Sequence, residues 1–312
     1  KNFFMDPAII RAPFLVRFLL ARFIAWKRGR PGGPAERAYA GLGGKSPLLD
    51  NTAAQARALQ EKLNSFQGGT HGENIFTVHV AMRYWHPRSD AVVQTILKDR
   101  GTQVILVPLY PQFSTTTTGS SVSDWHRAAR TAGLSVPTQT ICCYPTLPGF
   151  VAASADRVAT AYREFLTGPQ GGGTPPRVLF SAHGLPVSVI AAGDPYQNQC
   201  EQSAKVIARA VQQMLGLEQL DWQVCYQSKV GPLKWTRPST AEALQKAAKD
   251  HVGVILYPHA FVSEHVETLV EIDHEYRAMA QALGVPGFVR AGTVMTHPAF
   301  IAGLADLVMK RM

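Results

Sequence analysis

The 312-residue chain is 46% hydrophobic and only 17% charged, which excludes an intrinsically disordered protein. Its 26 glycines and 21 prolines show no regular period, which excludes a collagen-like fibre. The net charge is +9, but residues 1–45 carry +7 of it, so a general nucleic-acid-binding surface is not expected. At ~100–200 residues per domain, the length predicts one large domain or two ordinary ones.

The first predicted element, residues 13–26, is apolar on most sides and is followed by a basic flank at 27–30. Arg17 and Arg22 interrupt it, so no segment of the sequence reaches the ~18 apolar residues that a membrane-spanning helix needs. One interpretation is a helix that lies on an anionic membrane surface. The other is a buried helix whose arginine side chains extend outward to water.

From residue 74 onward, short β-branched runs alternate with longer helical patterns. Strands are predicted at 75–80, 104–108, 138–143, 178–181, 222–226, 252–257 and 287–290. Helices are predicted at 90–99, 122–132, 149–166, 198–215, 240–250, 263–283 and 297–312. This alternation predicts an α/β fold in which parallel sheets are covered by helices on both faces.

The segment 167–176 is rich in glycine and proline and divides these elements into two Rossmann-like lobes. We expect an N-terminal lobe at 1–166, a linker at 167–176 and a C-terminal lobe at 177–296. A final helix at 297–312 is expected to pack back on the N-terminal lobe. Functional groups gather beyond the carboxyl ends of parallel strands, so the active-site cleft is expected between the lobes.

The cysteines, at positions 142, 143, 200 and 225, form no CxxC pair. Neither a disulfide framework nor a zinc site is therefore predicted, and a reducing cytoplasm fits best. The stretch at 41–46 superficially resembles the end of a phosphate-binding loop. It lacks the upstream glycine and the preceding strand that such a loop requires, so nucleotide binding is not expected.

One histidine and a row of carboxylates are the strongest candidates for chemistry. His183 follows a predicted strand, where a histidine is either a structural residue or a proton acceptor in a cleft. Glu264, Glu267 and Glu271 would form one acidic stripe on a helix, with no lysine at a compensating spacing before Arg277. The stripe is either a solvated face or, together with His183, a site for a divalent cation or for proton transfer.

Several motifs occur in order over essentially the whole chain. They are RYWHP (83–87), YPQFS (110–114), TTGS (117–120), SAHGLP (181–186), GDPY (193–196), QSKVGPLKW (227–235) and SEHVETL (263–269). On these motifs the sequence resembles the ferrochelatases, the enzymes that insert ferrous iron into a porphyrin at the end of haem synthesis. The resemblance implies a chelatase-like fold.

The resemblance also implies roles for individual residues. His183, Glu267 and Glu271 correspond to catalytic residues, and His183 and Glu267 to metal contacts. Porphyrin contacts are implied at Tyr39, Ser46, Arg30, Arg83, Phe113, Ser114, Trp235 and Phe261. The basic group near Tyr39 is Arg28 or Arg30.

The implied reaction inserts Fe²⁺ into protoporphyrin IX and releases two protons, with iron as a substrate and no tightly bound cofactor. The alternatives are a coproporphyrin III ferrochelatase and a non-catalytic haem- or porphyrin-binding protein. The resemblance implies a cytoplasmic protein with peripheral contact to the inner face of the membrane. It further implies no nucleic-acid partner and transient contact with the enzyme that precedes it in haem synthesis.

The chain departs from the family pattern in several places. It begins beyond the apolar strand with which the family opens, so that strand is expected to be missing from the first sheet. Phe113 stands where tyrosine is more usual, and Lys45 replaces a small residue in the glycine loop. Residues 299–312 contain no cysteine, so the iron–sulfur cluster that some members carry near the C-terminus is not expected.

Overall fold

The computed structural model describes residues 2–10, 13–28, 33, 36, 39–66, 75–169, 174–229 and 231–312. The strands in these residues are β1 (Val104–Leu106), β2 (Thr138–Thr140), β3 (Arg177–His183), β4 (Trp222–Gln227), β5 (Val254–Tyr257) and β6 (Phe288–Arg290). The α-helices are α1 (Asn2–Met5), α2 (Phe14–Arg28), α3 (Leu48–Asn64), α4 (Ser89–Lys98), α5 (Ser120–Ala132), α6 (Pro148–Thr167), α7 (Val187–Ala191), α8 (Tyr196–Leu215), α9 (Thr240–Lys249), α10 (Arg277–Ala282) and α11 (Pro298–Met309). Two segments have π-helical geometry, π1 (Thr115–Gly119) and π2 (Glu267–Tyr276).

The larger sheet is parallel throughout, with the strand order β4-β3-β5-β6. Its central strand β3 buries Val178, Leu179 and Phe180 completely, as expected for a parallel strand covered by helices on both faces. In the register of β3 and β4, His183 lies opposite Gln227. The two strands therefore end side by side, and the residues that follow them share one edge of the sheet.

The smaller sheet contains only β1 and β2, which are parallel. The strand predicted at 75–80 is wrong, because the backbone there bonds to side chains of α3 instead of to a neighbouring strand. The Phe76 and Val78 amides donate to the side chains of Asn64 and Gln60 at 3.0 and 2.8 Å. These amide side chains satisfy the backbone groups that a strand ladder would otherwise use.

One hydrophobic core contains residues from both sides of the predicted linker. Tyr144, Phe150 and Phe165 precede the linker and Phe180 and Phe300 follow it, and all five are buried. The helix α11 packs against α6 and α3. The apolar contacts thus run continuously between the two predicted lobes, and the lobe boundaries themselves stay predictions.

Two predicted helices differ from the structure at their first turns. The helix predicted at 263–283 begins at Glu267 as π2 and becomes α-helical only at Arg277. The helix predicted at 122–132 begins earlier, because π1 leads directly into α5. The helix α3 was not predicted. Both π segments overlap the quoted motifs, and π geometry is frequent at functional sites.

The helix α2 presents its apolar side chains to solvent. Phe14, Leu15, Leu19 and Trp26 are between 59% and 71% exposed, whereas Ala21 is buried. The alternative of a buried helix with outward arginines is therefore wrong for this element. Among the described residues, none of the helices combines the length and the apolar character needed to cross a bilayer.

A buried histidine follows β5 at position 259. Its Nδ1 lies 3.1 Å from the Ser181 carbonyl oxygen and its Nε2 lies 3.2 Å from the Cys200 carbonyl oxygen. Burial lowers the pKa of His259 to about 4, even though the two carbonyl oxygens favour the protonated ring. The folded protein therefore keeps this side chain neutral down to mildly acidic pH.

This depressed pKa predicts a loss of stability on acidification. A histidine in the unfolded chain has a pKa of about 6.5, so between pH 7 and pH 5 the unfolded state binds a proton that folded His259 does not. The free energy of unfolding should fall over this window by about 2 kcal/mol more for the wild type than for His259→Gln. Urea denaturation at the two pH values measures this difference, and equal losses in both proteins would contradict it.

Candidate active site

The site lies at the edge of the larger sheet where β3 and β4 end. His183 is the last residue of β3, and the Gly184 amide donates to the Gln227 carbonyl oxygen at 2.9 Å. A Cβ atom on Gly184 would lie 3.1 Å from that oxygen and 3.3 Å from the Trp235 ring. The glycine therefore permits both neighbours to approach, and it brings His183, Gln227 and Trp235 together.

The contact between His183 and the backbone determines which ring nitrogen carries the proton in the neutral side chain. Its Nδ1 lies 2.7 Å from the Gly184 carbonyl oxygen. A carbonyl oxygen only accepts hydrogen bonds, so Nδ1 is the donor and Nε2 keeps a free lone pair. His183 is partly exposed, so this nitrogen is available as a base.

Glu271 in π2 is held by donors from the segment that follows β4. It accepts hydrogen bonds from the Ser228 amide at 2.8 Å, the Ser228 hydroxyl at 2.5 Å and the Gln227 side chain at 3.2 Å. The Tyr276 hydroxyl donates to the same carboxylate at 3.1 Å. Four donors therefore fix the orientation of this carboxylate.

Glu267 stands about one turn before Glu271, and 39% of its side chain is exposed. Its backbone carbonyl oxygen accepts a hydrogen bond of 3.3 Å from Gln227, and its carboxylate lies 3.8 Å from the Nε2 of His265. Gln227 therefore contacts both glutamates of the pair. An exposed carboxylate beside a histidine can exchange protons or cations with solvent.

His265 lies close enough to Glu267, Glu264 and His183 for their charges to affect its pKa. Burial lowers the pKa of His265, while the charges of Glu267 and Glu264 oppose this and a protonated His183 would reinforce it. The ring of His265 stacks at a tilt against Phe261, with 4.8 Å between the ring centroids. A second imidazole therefore stands beside the carboxylates.

Glu264 does not belong to a common acidic stripe. It precedes π2, and its carboxylate contacts Arg290 at 3.0 Å, the Thr293 amide at 2.8 Å and the Thr268 hydroxyl at 2.6 Å. Burial raises the pKa of Glu264, but the charge of Arg290 and these hydrogen bonds outweigh it and hold the pKa below its usual value. The prediction of an uncompensated row is wrong, because β6 supplies the missing cation.

Trp235 and Phe261 provide apolar surface on two sides of the site. The Trp235 ring centroid lies 6.4 Å from that of His183, and Trp235 also pairs with Pro186 through a short β-bridge. Its buried Nε1 has no hydrogen-bond partner among the described residues. Phe261 is partly exposed and contacts His265. The predicted apolar walls thus lie beside the two histidines.

The helix α3 joins the N-terminal segment to this site. Asn51 donates to the Glu264 carbonyl oxygen at 2.9 Å, and buried Gln55 donates to the Val262 carbonyl oxygen at 2.9 Å. Tyr39 and Ser46 lie just before α3, in a turn where the Tyr39 carbonyl oxygen accepts from Gly44 at 2.9 Å. Both predicted porphyrin contacts therefore precede a helix that is anchored to the loop carrying Glu264.

Arg83 lies in a separate polar cluster. Its guanidinium contacts the buried carboxylate of Asp6 at 2.5 Å and the Ser120 hydroxyl at 2.8 Å. The Tyr84 hydroxyl donates to the same Asp6 at 2.9 Å. The positive charge of Arg83 is thus neutralised within the protein. Arg30 lies outside the described residues.

Phe113 and Ser114 differ in their surroundings. The Phe113 amide donates to the Gln199 side chain at 2.7 Å, and Phe113 is partly exposed. Ser114 is completely buried, and its hydroxyl donates to Asp194 at 3.0 Å while it accepts from the Thr116 amide at the start of π1. Because this hydroxyl is satisfied internally, we leave Ser114 out of the proposed porphyrin pocket and keep Phe113.

Three residues that contribute to the site received no role from the sequence. Gln227 and Ser228 orient Glu271, and His265 stands beside Glu267. All three lie inside quoted motifs, so the signal was present. Their function depends on contacts between the end of β4 and π2, which spacing along the chain does not reveal.

The described residues contain no group of three histidine, cysteine, aspartate or glutamate side chains arranged to hold a metal ion. His183 and Glu267, the predicted metal contacts, lie on different elements that meet through Gln227.

Comparison with known proteins identifies the family. The ferrochelatase family model matches residues 1–312. A ferrochelatase of Caulobacter vibrioides is 45% identical over 98% of this chain and 83% of its own length. A ferrochelatase of a Wolbachia from Drosophila simulans is 44% identical over 98% of this chain and 91% of its own length.

This chain belongs to the ferrochelatase family. Membership of this family makes it a metal chelatase, for which a porphyrin and ferrous iron are the implied substrates.

Solved chelatase structures confirm the predicted α/β fold. SirB from Bacillus subtilis with Fe³⁺ has a TM-score of 0.52 at 15% identity, covering 83% of this chain and 89% of its own. CbiX, described as the terminal enzyme of sirohaem biosynthesis in denitrifying bacteria, has a TM-score of 0.51 at 15% identity, covering 86% and 95%.

Proposed function

We propose that the protein inserts Fe²⁺ into protoporphyrin IX, forming protohaem and releasing two pyrrole protons. The observation that carries this proposal is the meeting of His183, Glu267 and Glu271 at one sheet edge, next to the apolar surfaces of Trp235 and Phe261. Metallation needs a base for the pyrrole protons, oxygen ligands for the incoming cation and a flat apolar pocket for the ring. These three requirements are met by neighbouring residues.

His183 is the proposed base. Its Nδ1 proton bonds to the Gly184 carbonyl oxygen, so Nε2 receives a pyrrole proton. Once protonated, the ring carries a positive charge, and Glu267 and Glu271, which both contact the neighbouring Gln227, stabilise it. A fixed tautomer and a nearby carboxylate pair also serve histidine bases in other enzymes.

The two glutamates differ in their proposed roles. Glu267 is partly exposed and exchanges cations and protons with solvent, so it delivers Fe²⁺ or removes protons. Glu271 is held by Ser228, Gln227 and Tyr276 and keeps one orientation throughout the reaction. A carboxylate that does not reorganise stabilises positive charge more effectively than a mobile one.

Trp235 and Phe261 hold the porphyrin ring in this proposal. A bent macrocycle exposes its nitrogen lone pairs to the metal, so a rigid wall that fits the bent ring lowers the barrier. Trp235 is rigid because it packs on Gly184 and bridges to Pro186. We propose Tyr39, Ser46 and Phe113 at the rim, with Fe²⁺ as a substrate and no tightly bound cofactor.

The neutralised charge of Arg83 favours protoporphyrin IX over coproporphyrin III. Coproporphyrin carries four carboxylates where protoporphyrin carries two, and the additional pair needs additional cations at the rim. Arg83 is already paired with Asp6, so it does not supply an additional cation.

The test of the proposed function is anaerobic incubation with Fe²⁺ and either porphyrin, following the haem absorbance. We expect a higher kcat/KM for protoporphyrin IX. A higher kcat/KM for coproporphyrin III would make coproporphyrin the substrate instead. If neither porphyrin is metallated, the catalytic function is rejected.

We further propose that α2 binds an anionic membrane surface, on the inner face of the membrane in the cytoplasm. Its exposed apolar side chains include Phe14, Leu15, Leu19, Phe23 and Trp26. Residues 1–45 carry most of the net positive charge, so apolar insertion and electrostatic attraction act at the same place.

This proposal predicts weaker vesicle binding when the apolar face is charged. The double substitution of Leu15 and Leu19 to glutamate should weaken binding to vesicles with anionic lipid by at least about tenfold, since each leucine contributes roughly 1.5–3 kcal/mol on burial. Sedimentation with the vesicles measures the binding. Ile75→Glu is the control, because Ile75 is 82% exposed and lies outside α2. Equal binding by all three proteins would contradict the proposal.

A further inference from the structure

Two adjacent cysteines form a dithiol near the proposed porphyrin pocket. Cys142 is exposed and Cys143 is partly buried, and their Sγ atoms lie 3.1 Å apart. The other cysteines, Cys200 and Cys225, are completely buried. The pair therefore differs from them in being both accessible and close enough for the two sulfurs to react with each other.

The backbone on both sides of the pair is anchored. The Ile141 amide donates to the Leu106 carbonyl oxygen at 2.9 Å, and the Tyr144 amide donates to the Pro111 carbonyl oxygen at 2.8 Å. Any change in the conformation of the dithiol is thus confined to the short segment between these two bonds.

A short contact chain leads from Cys143 to the pocket rim. The Gln199 amide group lies 3.8 Å from the Cys143 sulfur, and its oxygen accepts a hydrogen bond of 2.7 Å from the Phe113 amide. Gln199 therefore contacts both the dithiol and the backbone of a residue that we place at the rim. Movement of the Cys143 sulfur disturbs the amide that fixes Phe113.

We propose that Cys142 and Cys143 are a redox modification site, in which a hydroperoxide converts the dithiol reversibly into a disulfide and thereby alters porphyrin binding at Phe113. The chemical part of this proposal is independent of the proposed function, whereas the effect on porphyrin binding rests on it.

Hydrogen peroxide oxidises the dithiol in two steps. The sulfur of Cys142 attacks one peroxide oxygen, the O–O bond breaks, and one water leaves while a sulfenic acid forms. The sulfur of Cys143 then attacks the Cys142 sulfur, forming the S–S bond and releasing the second water. Two thiols are oxidised, and one peroxide is reduced to two waters.

The exposure of Cys142 supports its reaction before Cys143, and the geometry of neighbouring cysteines supports a disulfide that is readily reduced. Burial and the neighbouring sulfur raise the pKa of the Cys143 thiol to about 11, so the exposed Cys142 is the sulfur that reacts first. Adjacent Cα atoms are about 3.8 Å apart, whereas bridged cysteines usually have Cα atoms at least about 4.4 Å apart. A disulfide between neighbours is therefore strained, and strained, exposed disulfides are the readily reduced ones.

Mass spectrometry of the full chain after treatment with hydrogen peroxide tests the chemical part without any turnover. The wild type should lose about 2 Da, regain it on reduction and yield a peptide that joins positions 142 and 143. Cys142→Ser and Cys143→Ser should show no such loss, and Cys200 and Cys225 should stay reduced. A disulfide between two copies, or only irreversible oxygen addition, would overturn the site.

Porphyrin fluorescence tests the coupling. Oxidised wild type should bind protoporphyrin at least about threefold more weakly than reduced wild type, with recovery on reduction. Cys142→Ser treated in the same way should not change. An oxidised wild type that binds as tightly as the reduced form would overturn the coupling. Loss of iron insertion with the mass and binding results intact would count against the proposed function alone.

Discussion

Replacing His183 with alanine should nearly abolish iron insertion while leaving porphyrin binding nearly unchanged. The side chain supplies the base at the end of β3, and the apolar surfaces that bind the ring belong to Trp235 and Phe261. A positioned general base typically contributes a factor of about 10²–10⁴ to the rate. We therefore expect kcat to fall at least about a hundredfold and the porphyrin dissociation constant to change less than about threefold.

Anaerobic haem formation and porphyrin fluorescence measure the two quantities separately. His251→Ala is the matched control, because His251 is exposed in the turn that follows α9. A His183→Ala protein with a near-normal kcat would remove His183 from the role of base. A variant that fails to bind porphyrin would instead assign His183 to the binding pocket.

Replacing Glu267 with glutamine should cause a severe loss of metallation. The amide keeps the size of the side chain but removes the negative charge beside His265 and the metal-ligand character of the carboxylate. We expect kcat/KM for Fe²⁺ to fall by at least about tenfold to a hundredfold, with little change in porphyrin binding.

The dependence of the rate on Fe²⁺ concentration distinguishes delivery of the metal from removal of protons. A higher KM for Fe²⁺ indicates delivery, whereas a lower kcat at saturating Fe²⁺ indicates proton removal. Glu218→Gln, which changes an exposed carboxylate in the loop that follows α8, is the control. Unchanged rate and unchanged metal dependence in Glu267→Gln would exclude this residue from the site.

Periodicity was sufficient to predict the parallel sheet and most of its covering helices. The apolar runs that form β3 and β5 are buried on both faces, and such strands have a strong sequence signal. The run at 75–80 has the same signal but no strand forms, because Asn64 and Gln60 bind its backbone. The apolar pattern of the run does not reveal that side chains of the preceding helix are its hydrogen-bond partners.

The site was predictable in its central residues and less so in its surroundings. His183 and the two glutamates of π2 were identified by their positions after strands and by family motifs. The role of Arg290 as the partner of Glu264 was not, because β6 and the start of π2 are separated along the chain. The π geometry was missed as well, because a carboxylate spacing of four residues fits both an α-helix and a π-helix.

The ion pair of Arg83 with Asp6 is another contact that the sequence does not reveal. A lone arginine in a motif near a pocket suggests a contact with a ligand carboxylate, and the buried Asp6 that occupies it lies far away in sequence. Distant pairs of this kind are set by tertiary packing. They become visible only when the structure brings the two residues together.

The most direct test of the central claim is the stoichiometry of proton release during a single anaerobic turnover in weak buffer. With the protein in excess over Fe²⁺ and protoporphyrin IX, we expect two protons to be released for each haem formed. In His183→Ala we expect haem to form at least about a hundredfold more slowly. Haem formation by His183→Ala at the wild-type rate would contradict the account. Porphyrin binding by the wild type without haem formation would contradict it as well, because the protein would then bind its ligand without metallating it.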